Sequence, residues 1–445
     1  MKMKLRPFSN EEHSAYILEK IRSPKPRKMG ILSKIVGLTF EATGLSAPVG
    51  SICCVQTDAG KFIKCEVVGF DANKLFLMPL APSTGLRAGA KVFISSDSDS
   101  AVIGENLMGR VVNAVGEPID GLEPEILGTE RSLTSRAINP MDRMPIQRKL
   151  DVGVKSINSL LTIGCGQRIG LVAGSGVGKS VLLGMLTKFT KADVVVIGLI
   201  GERGREVKEF IETILGNEGL KKSVVVAAPA DESPLLRLRA TQLAHSYSEY
   251  FREMGKDVLL LVDSLSRLAH AQREIGLAIG EPPTTKGYPP SVFSLIPKLI
   301  ERAGTGKIGQ GTVTAIYTLL AEGDDLNDPI VDLARASLDG QVILARALAD
   351  AAHYPAIDLT GSISRLMPLI CSKDEVERAN RFRRLWTIYN QSEDLISVGA
   401  YEDGSNAELD LAIKMRPQLC SFLQQSMDEE FSFSNTAVAL KDCLD

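Results

Sequence analysis

From about residue 150 onward, short and almost uninterrupted runs of apolar residues recur along the chain. They occupy residues 169–173, 194–200, 224–228, 258–262 and 313–319. Patterns with helical periodicity separate the first four runs, notably over residues 206–215 and 235–254. Nearly continuous apolar strands that alternate with helices are typical of a parallel sheet covered on both faces. This part of the chain is therefore predicted to be an α/β domain.

The regions on either side of this domain show different patterns. Within residues 29–100, short strand-like runs flank turn-forming stretches at 58–60 and 70–74. Closely spaced short strands of this kind predict a small β-barrel. After about residue 370 the pattern is that of charged helices, for example over residues 374–389, and it contains little strand signal.

The first 28 residues are rich in Lys and Arg, and Ser9 with Glu12 forms a capping-box pattern that predicts a short helix. Two interpretations of this terminus stay open. It could be a docking or membrane-surface segment, or it could be a frayed and solvated end.

The composition is that of an ordinary soluble protein. The 445 residues are 44% hydrophobic and 24% charged, and the formal net charge of −3 argues against a chain that binds nucleic acid over its whole length. No apolar run is long enough to cross a bilayer, and no secretory signal is visible. The seven cysteines are scattered without Cys-x-x-Cys spacing, which favours reduced thiols and no metal site.

A glycine-rich loop between the first apolar run of the α/β region and a helical pattern is the strongest functional signal. It comprises Ala173, Gly174, Ser175, Gly176, Val177, Gly178, Lys179 and Ser180, and Val181 continues into the helix. In this context glycines let backbone N–H groups surround a phosphate, and the helix N-terminus adds positive charge. Lys179 can reach the outer phosphates, and the Ser180 hydroxyl can bind Mg²⁺. We therefore expect ATP and Mg²⁺ as ligands.

Two other strand ends carry candidate catalytic groups. Asp263 ends an apolar strand and could hold Mg²⁺ opposite Ser180. Glu202 follows the strand 194–200 and is the natural candidate to orient an attacking water molecule. Arg203 could bind a phosphate oxygen or brace Glu202, although the charged cluster could also serve only to cap the next helix.

Two residues near position 360 are weaker candidates when they are considered alone. Tyr354 stands beside a proline and could stack on adenine, but considered alone it is better explained as a tyrosine of the core. Arg365 could act as a finger in a neighbouring subunit, but considered alone it is better explained by an ordinary surface salt bridge.

Taken together, these motifs resemble those of the type III protein-export ATPases, which are relatives of the catalytic subunits of rotary ATP synthases. The resemblance runs from about residue 29 to 425. It rests on residues 109–116, 173–180, 201–206, 230–234, 287–293 and 353–358. It implies a small N-terminal β-barrel over 29–100, a RecA-like P-loop ATPase domain over 101–370 and a C-terminal helical domain over 371–445, after a docking or oligomerisation segment at 1–28.

The resemblance also implies a role for each candidate residue and a set of partners. It gives phosphate binding to Lys179, Mg²⁺ binding to Ser180 and Asp263, water activation to Glu202 with Arg203 beside it, adenine stacking to Tyr354, and the trans finger to Arg365. It implies a homohexamer with nucleotide at its interfaces, peripheral at the cytoplasmic face of the inner membrane. The implied partners are a stator-like regulator, a central stalk-like protein, a membrane export gate, export substrates and chaperones, but no nucleic acid.

Alternatives inside and outside this family remain. Residues 67–80 and 327–335 favour the flagellar branch over the injectisome branch, which exports effectors. A catalytic subunit of a rotary synthase usually reads Gly-Tyr-Gln-Pro-Thr where this chain has Gly-Tyr-Pro-Pro-Ser at 287–291. A hexameric RNA translocase shares the ATPase core but needs an N-terminal platform of exposed aromatic and basic residues, in which 29–100 is poor.

Overall fold

The computed structural model describes residues 28–95, 100–122, 127–135, 137–321, 323, 325 and 327–445. The docking segment expected at 1–28 lies outside this part, apart from Lys28. The chain divides into two compact units, one within residues 1–96 and the other within residues 97–445. None of the helices among the described residues has the length and apolar character needed to cross a membrane.

The first unit is a closed barrel of six antiparallel strands in the order β1-β2-β5-β4-β3-β6. The strands are β1 Met29–Val36, β2 Thr39–Thr43, β3 Ile52–Gln56, β4 Phe62–Asp71, β5 Lys74–Pro79 and β6 Lys91–Ile94. Alternate side chains are buried inside, as with Cys53 and Val55 on β3, because successive strand residues point to opposite faces. The small barrel predicted for this region is confirmed.

The second unit is built on a nine-stranded sheet in the order β17-β16-β10-β15-β13-β11-β12-β8, with β14 paired to β15. Its strands are β8 Val111–Val112, β10 Arg168–Ala173, β11 Val194–Ile200, β12 Ser223–Ala228, β13 Asp257–Asp263, β14 Gly304–Thr305, β15 Thr312–Leu320, β16 Gly340–Leu344 and β17 Ile357–Ser364. The pairing is parallel except at β14 and β17. A separate antiparallel pair consists of β7 Ser100–Ile103 and β9 Thr129–Ser132.

Helices pack on both faces of this sheet, as predicted, and further helices follow towards the C-terminus. They are Lys155–Leu160, Lys179–Phe189, Gly204–Glu209, Gly216–Lys221, Pro234–Glu253, Leu265–Ala278, Pro290–Ile300, Pro329–Ser337, Arg346–Asp350, Met367–Ile370, Lys373–Ser397, Ala407–Leu423 and Phe433–Leu444. Short 3₁₀ turns occur at Glu105–Leu107, Pro140–Asp142 and Thr285–Gly287.

The two faces of the sheet bury alternate side chains of each strand. On β11, Val195 and Ile197 pack in one core with the helix Lys179–Phe189 and with aromatic residues of the C-terminal helices, including Trp386. The helix Pro234–Glu253 packs on β11, β12 and β13 and buries residues such as Tyr247. Burial on both faces explains why these strands read as continuous apolar runs.

One predicted helix is interrupted. The pattern over 206–215 predicts a single helix, but the structure has an α-helix over Gly204–Glu209 followed by a π-helical segment over Phe210–Leu215. Phe210 and Leu215 are both buried although they lie five residues apart. The wider π turn, with its i to i+5 hydrogen bonds, brings such a pair to the same side, which an α-helix does not.

The C-terminal helices pack against each other around cationic and aromatic side chains. The guanidinium of Arg416 lies 3.8 Å from the ring centre of Trp386 and 4.2 Å from that of Tyr389. Contacts of this kind join the helices Lys373–Ser397 and Ala407–Leu423. The first of these helices begins at a capping box formed by Ser372 and Glu375.

Candidate functional site

The glycine-rich loop, residues 173–180, connects the buried strand β10 to the helix that begins at Lys179. Gly176 and Gly178 have φ angles of +78° and +88°, a conformation that other residues rarely adopt. Ala173 replaces the glycine of the strict pattern, and it is the last residue of β10, paired with Leu320 and Leu344. Its methyl group lies in the core, so it does not obstruct the loop.

Three charged side chains meet beside this loop. Lys179 Nζ lies 3.1 Å from Glu202 Oε1 and 2.5 Å from Asp263 Oδ1. These side chains come from three elements, because β10, β11 and β13 all end at the same edge of the parallel sheet. The structure therefore brings together the phosphate-lysine, water-orienting and metal-binding candidates of the sequence.

The charges of this cluster stabilise each other in a mostly buried place. The exposed fractions of the Lys179, Glu202 and Asp263 side chains are 12%, 14% and 6%. Burial lowers the pKa of Lys179, but the carboxylates of Asp263 and Glu202 raise it by more, so that this pKa lies above its ordinary value. Lys179 is consequently a firmly protonated cation, as phosphate binding requires.

A buried hydroxyl that sequence reasoning missed completes the surroundings of Asp263. Thr318 on β15 donates a 2.7 Å hydrogen bond from Oγ1 to Asp263 Oδ1, the same oxygen that accepts from Lys179. Thr318 is fully buried between β10 and β13. A threonine in a largely apolar strand was the available signal, because a buried hydroxyl is costly without a partner.

The residues around Asp263 suit Mg²⁺ better than a metal held by protein alone. Among the described residues no group of three or more His, Cys, Asp or Glu side chains could hold a metal ion. Mg²⁺ is usually bound by one or two carboxylates together with substrate phosphates and water. The Asp263 carboxylate and the exposed Ser180 hydroxyl beside the loop match this donor set.

An arginine packed against Gly201, the residue before Glu202, was also missed. Gly201, with φ of +72°, is packed so closely against Arg267 that an added Cβ would lie 2.8 Å from the Arg267 Cβ. Arg267 Nε is buried and has no hydrogen-bond partner among the described residues. The signal in the sequence was the position of Arg267 in the first turn of the helix after Asp263.

Tyr354 lies against the glycine-rich loop. A Cβ added at Gly178 would be 3.4 Å from ring carbons Cδ1 and Cε1 of Tyr354, and the tyrosine is 45% exposed. The backbone oxygen of Tyr354 accepts a hydrogen bond from the N–H of Gln425. A half-exposed ring beside the loop is not a core tyrosine, and its free face is available to a base.

Among the described residues, neither candidate arginine makes an ion pair with the Lys179 cluster. The side chain of Arg203 is 82% exposed and makes a 3.6 Å ion pair with Glu206 in the next helical turn. Arg365 is exposed, and its backbone N–H donates to the backbone oxygen of Asp339. Asp339 in turn bonds Arg168, the first residue of β10, so Arg365 lies at the start of that strand. Five residues of β10 separate that level from the loop, about 17 Å along a strand.

Comparison with known proteins agrees with this geometry. Residues 153–364 match the ATP synthase alpha/beta family, nucleotide-binding domain, and residues 371–442 match the T3SS EscN ATPase C-terminal domain. The flagellum-specific ATP synthase of Pseudomonas aeruginosa is 53% identical over 423 residues, which are 94% of each chain. The chain belongs to the flagellum-specific branch of the ATP synthase alpha/beta family.

Solved structures of related ATPases have the same fold as this chain. Assembled EscN from the enteropathogenic E. coli type III secretion system is 40% identical and matches with a TM-score of 0.89, covering 94% of this chain and all of that one. Assembled EscN in complex with its central stalk EscO matches with a TM-score of 0.86 at 39% identity and the same coverage. As a member of this family the chain is an ATPase, and its nucleotide-binding domain contains the Lys179 cluster.

Proposed function

We propose that this ATPase energises type III export of flagellar proteins, with its chemistry in the Lys179 cluster. The single observation that carries the chemistry is the convergence of Lys179, Glu202 and Asp263 beside the glycine-rich loop. The flagellar assignment is supported by the 53% identity to a flagellum-specific ATP synthase over almost the whole chain. Nucleotide is the substrate of the family, and Mg²⁺ is part of the proposal.

In the proposed reaction, residues 174–180 bind the phosphates of ATP through backbone N–H groups and the Lys179 ammonium. When Lys179 turns to the phosphates, it leaves Glu202, whose carboxylate then accepts a hydrogen bond from the attacking water. Ser180 and Asp263 would hold Mg²⁺, which neutralises charge on the β- and γ-phosphates when bound. The γ-phosphoryl group passes to the water oxygen as its bond to the bridging oxygen breaks, and Glu202 accepts the proton that the water loses. ADP leaves with the bridging oxygen.

The remaining candidates fit a ring in which nucleotide lies between subunits. Tyr354 would stack on adenine beside Gly178, while Arg365 of the neighbouring copy would stabilise the charge of the transferring phosphoryl group. Arg203, exposed next to Glu202, is available to bind phosphate or the adjacent subunit. We propose a homohexamer, because one chain carries both the water-orienting Glu202 and the finger Arg365.

The proposed location is the cytoplasmic face of the inner membrane, where the ring would be peripheral. The proposed partners are a stator-like regulator, a central stalk-like protein, the membrane export gate, export substrates and their chaperones, with no nucleic acid. A central stalk is supported by the match to EscN, which has been solved in complex with its stalk EscO. The second candidate function is effector secretion by an injectisome, which the match to EscN favours.

The chemistry is tested by Glu202→Gln, which keeps the size of the side chain but removes its negative charge. We expect ATP binding to be retained and kcat to fall by about 100-fold or more, as for loss of a general base. The control is Glu209→Gln, an exposed glutamate on the next helix, which should hydrolyse ATP normally. Normal turnover by Glu202→Gln would refute the assignment of Glu202.

The flagellar assignment is tested by deleting the gene in its native cells. We expect the cells to lose filaments and swimming, and the wild-type gene, but not Glu202→Gln, to restore both. Cells that keep their filaments and instead stop secreting effectors would move the function to the injectisome branch, with the ATPase chemistry unchanged.

A further inference from the structure

The Asp263 carboxylate is held through one of its two oxygens. Oδ1 accepts hydrogen bonds from Lys179 at 2.5 Å and from Thr318 at 2.7 Å, whereas Oδ2 accepts none from the described residues. The orientation of Asp263 in this state therefore depends on two donors of different character. One is the end of a long, flexible lysine side chain, and the other is the hydroxyl of a β-branched residue with a stiff χ1.

Only one of these two donors can stay bonded to Asp263 throughout the reaction. Lys179 has to leave the carboxylates when ATP phosphates enter the loop, because its ammonium group is the one that binds them. Thr318 is fully buried on β15 and has no such second task. Once ATP is bound, Thr318 is the donor that still fixes Oδ1 of Asp263.

The position of Thr318 in the sheet supports this role. β15 lies between β10, which leads to the glycine-rich loop, and β13, which ends in Asp263. Thr318 is opposite Leu171 of β10, and its neighbour Tyr317 is opposite Val262 of β13. The Thr318 hydroxyl can also turn to the backbone oxygen of Val262 at 3.3 Å, but the shorter contact is with Asp263.

We propose that Thr318 is a positioning residue, which holds Asp263 Oδ1 so that the other carboxylate oxygen stays directed to the hydrated Mg²⁺ of Mg–ATP. This inference rests on the proposed role of Asp263 as a metal-binding residue. It goes beyond that role by naming the residue that keeps the carboxylate oriented after Lys179 has moved. Residues that orient a metal-binding group typically change metal affinity or activity by 10- to 100-fold when they are replaced.

The test uses Thr318→Val, which keeps the shape of the side chain and removes the hydroxyl. Thr314→Val is the matched control, since Thr314 is on the same face of β15, is equally buried, and accepts a 2.8 Å hydrogen bond from Gly166 N–H away from Asp263. Thr318→Ser restores the hydroxyl. Equilibrium binding of a fluorescent ATP analogue is measured as Mg²⁺ is titrated, with kcat and KM for ATP measured separately.

For Thr318→Val we expect the Mg²⁺ concentration at half-maximal enhancement of analogue binding to rise about tenfold, with binding in EDTA unchanged. We expect kcat at saturating Mg²⁺ to fall about tenfold or more, whereas Thr314→Val should match wild type in both assays. Thr318→Ser should recover most of the Mg²⁺ response. If Thr318→Val does not fold, the comparison of Thr318→Ser with Thr318→Ala gives the same contrast.

Asp263→Asn separates the failure of this inference from the failure of the role on which it rests. If Asp263→Asn leaves the Mg²⁺ response unchanged, Asp263 is not a metal-binding residue and both ideas fall. If Asp263→Asn loses the response while Thr318→Val keeps it, the proposal for Thr318 alone is overturned. An equal loss in Thr314→Val and Thr318→Val would also overturn it, because the effect would then be one of general stability.

Discussion

At the scale of single residues, the charge state of a buried group depends on partners that are distant in the sequence. Lys179 remains a cation because Asp263 and Glu202, 84 and 23 residues further on, raise its pKa against the effect of burial. His245 shows the opposite result. Burial, with the nearby Arg302 cation, lowers the pKa of His245 to about 3, so its ring is neutral in the folded protein.

The neutral His245 ring is fully bonded. Its Nδ1 lies 2.8 Å from the backbone oxygen of Thr241, and its Nε2 lies 2.9 Å from the Tyr317 hydroxyl. With Nδ1 protonated the ring donates to Thr241 and accepts from Tyr317, so each nitrogen has one suitable partner. A second proton on Nε2 would take away the acceptor to which the buried Tyr317 hydroxyl donates its own proton.

The first prediction is that His245 makes the protein less stable in mild acid. In the unfolded chain the histidine takes up a proton below about pH 6.5, but in the folded protein it does so only near pH 3. Its contribution to the unfolding free energy is therefore fully present above pH 6.5 and is lost as the pH falls towards 3. Between pH 7.5 and 5.5 the wild type should lose about 1.4 kcal/mol more unfolding free energy than His245→Gln. Urea unfolding followed by the fluorescence of Trp386, the only tryptophan, measures this difference.

The same pair of proteins gives the control. Between pH 7.5 and 9 His245 does not titrate in either state, so the wild type and His245→Gln should change in parallel. Equal losses from pH 7.5 to 5.5 would show that the buried ring takes up its proton in the folded protein.

At the scale of elements, the segment 424–432 between the last two helices is fixed to the nucleotide-binding domain through Gln425. The Gln425 side chain accepts from Lys155 N–H and donates to the backbone oxygens of Gly153 and Glu429, each at 2.8 Å. Its own N–H donates to Tyr354, the aromatic residue at the glycine-rich loop. The C-terminal helices are therefore connected directly to the candidate base-binding residue.

The second prediction concerns Gln425→Ala. This change leaves Lys155 N–H and the Glu429 backbone oxygen without their buried partner, and each such group costs roughly 1–3 kcal/mol. The Gly153 oxygen loses one of two hydrogen bonds and keeps the one from Phe431 N–H. We expect the urea midpoint reported by Trp386 to fall. The KM for ATP should rise, because the backbone segment whose N–H bonds Tyr354 is then held less firmly. Gln424→Ala is the matched control, because Gln424 is exposed and should tolerate the change. An unchanged urea midpoint would mean that the segment contributes little to the packing of the C-terminal helices on the nucleotide-binding domain.

The elements also show what the sequence could predict. All five apolar runs of the α/β region are strands, and each observed end lies within one residue of its predicted end, as with β13 at Asp257–Asp263 against 258–262. This precision arises because strands buried on both faces are apolar throughout and are bounded by polar residues. The sequence did not predict β16 or β17, whose residues are partly polar, such as Gln341 and Thr360.

The sequence alone did not predict which side chains are partners across the sheet. Lys179, Glu202 and Asp263 could be named from motifs, because each follows a strand that ends at the same edge of the sheet. Thr318, Arg267 and Gln425 could not be named in this way. Their roles depend on the strand order and on where the C-terminal segment packs, and no local pattern encodes either.

At the scale of the whole molecule, one strand carries candidate groups at both of its ends. Tyr354 precedes β17 and lies at the glycine-rich loop, whereas Arg365 follows β17 at the opposite edge of the sheet. β17 pairs with β16 along the whole length of that strand, so it spans the sheet between these two residues. Arg365 therefore lies far from the loop of its own chain, and a role in hydrolysis requires the loop of a neighbouring copy.

The last prediction tests that requirement in rings of mixed subunits. Arg365→Ala alone should lose about 1,000-fold or more in kcat, as for other arginine fingers, and Lys179→Ala alone should also be inactive. In rings assembled at random from equal amounts of these two variants, about one quarter of the interfaces join an intact loop to an intact Arg365, so part of the activity should return. Arg381→Ala, at an exposed arginine of a C-terminal helix, should hydrolyse ATP normally.

The negative control for this experiment is a mixture of Arg365→Ala with the double variant Lys179→Ala/Arg365→Ala, which contains no intact pair and should stay inactive. Recovery in the first mixture and none in the second requires Arg365 to act across an interface, because neither variant has both groups in one chain. No recovery in either mixture, in rings shown to contain both variants, would contradict a trans role. The exposed Arg365 would then be explained by its contact with the backbone oxygen of Arg335 in its own chain.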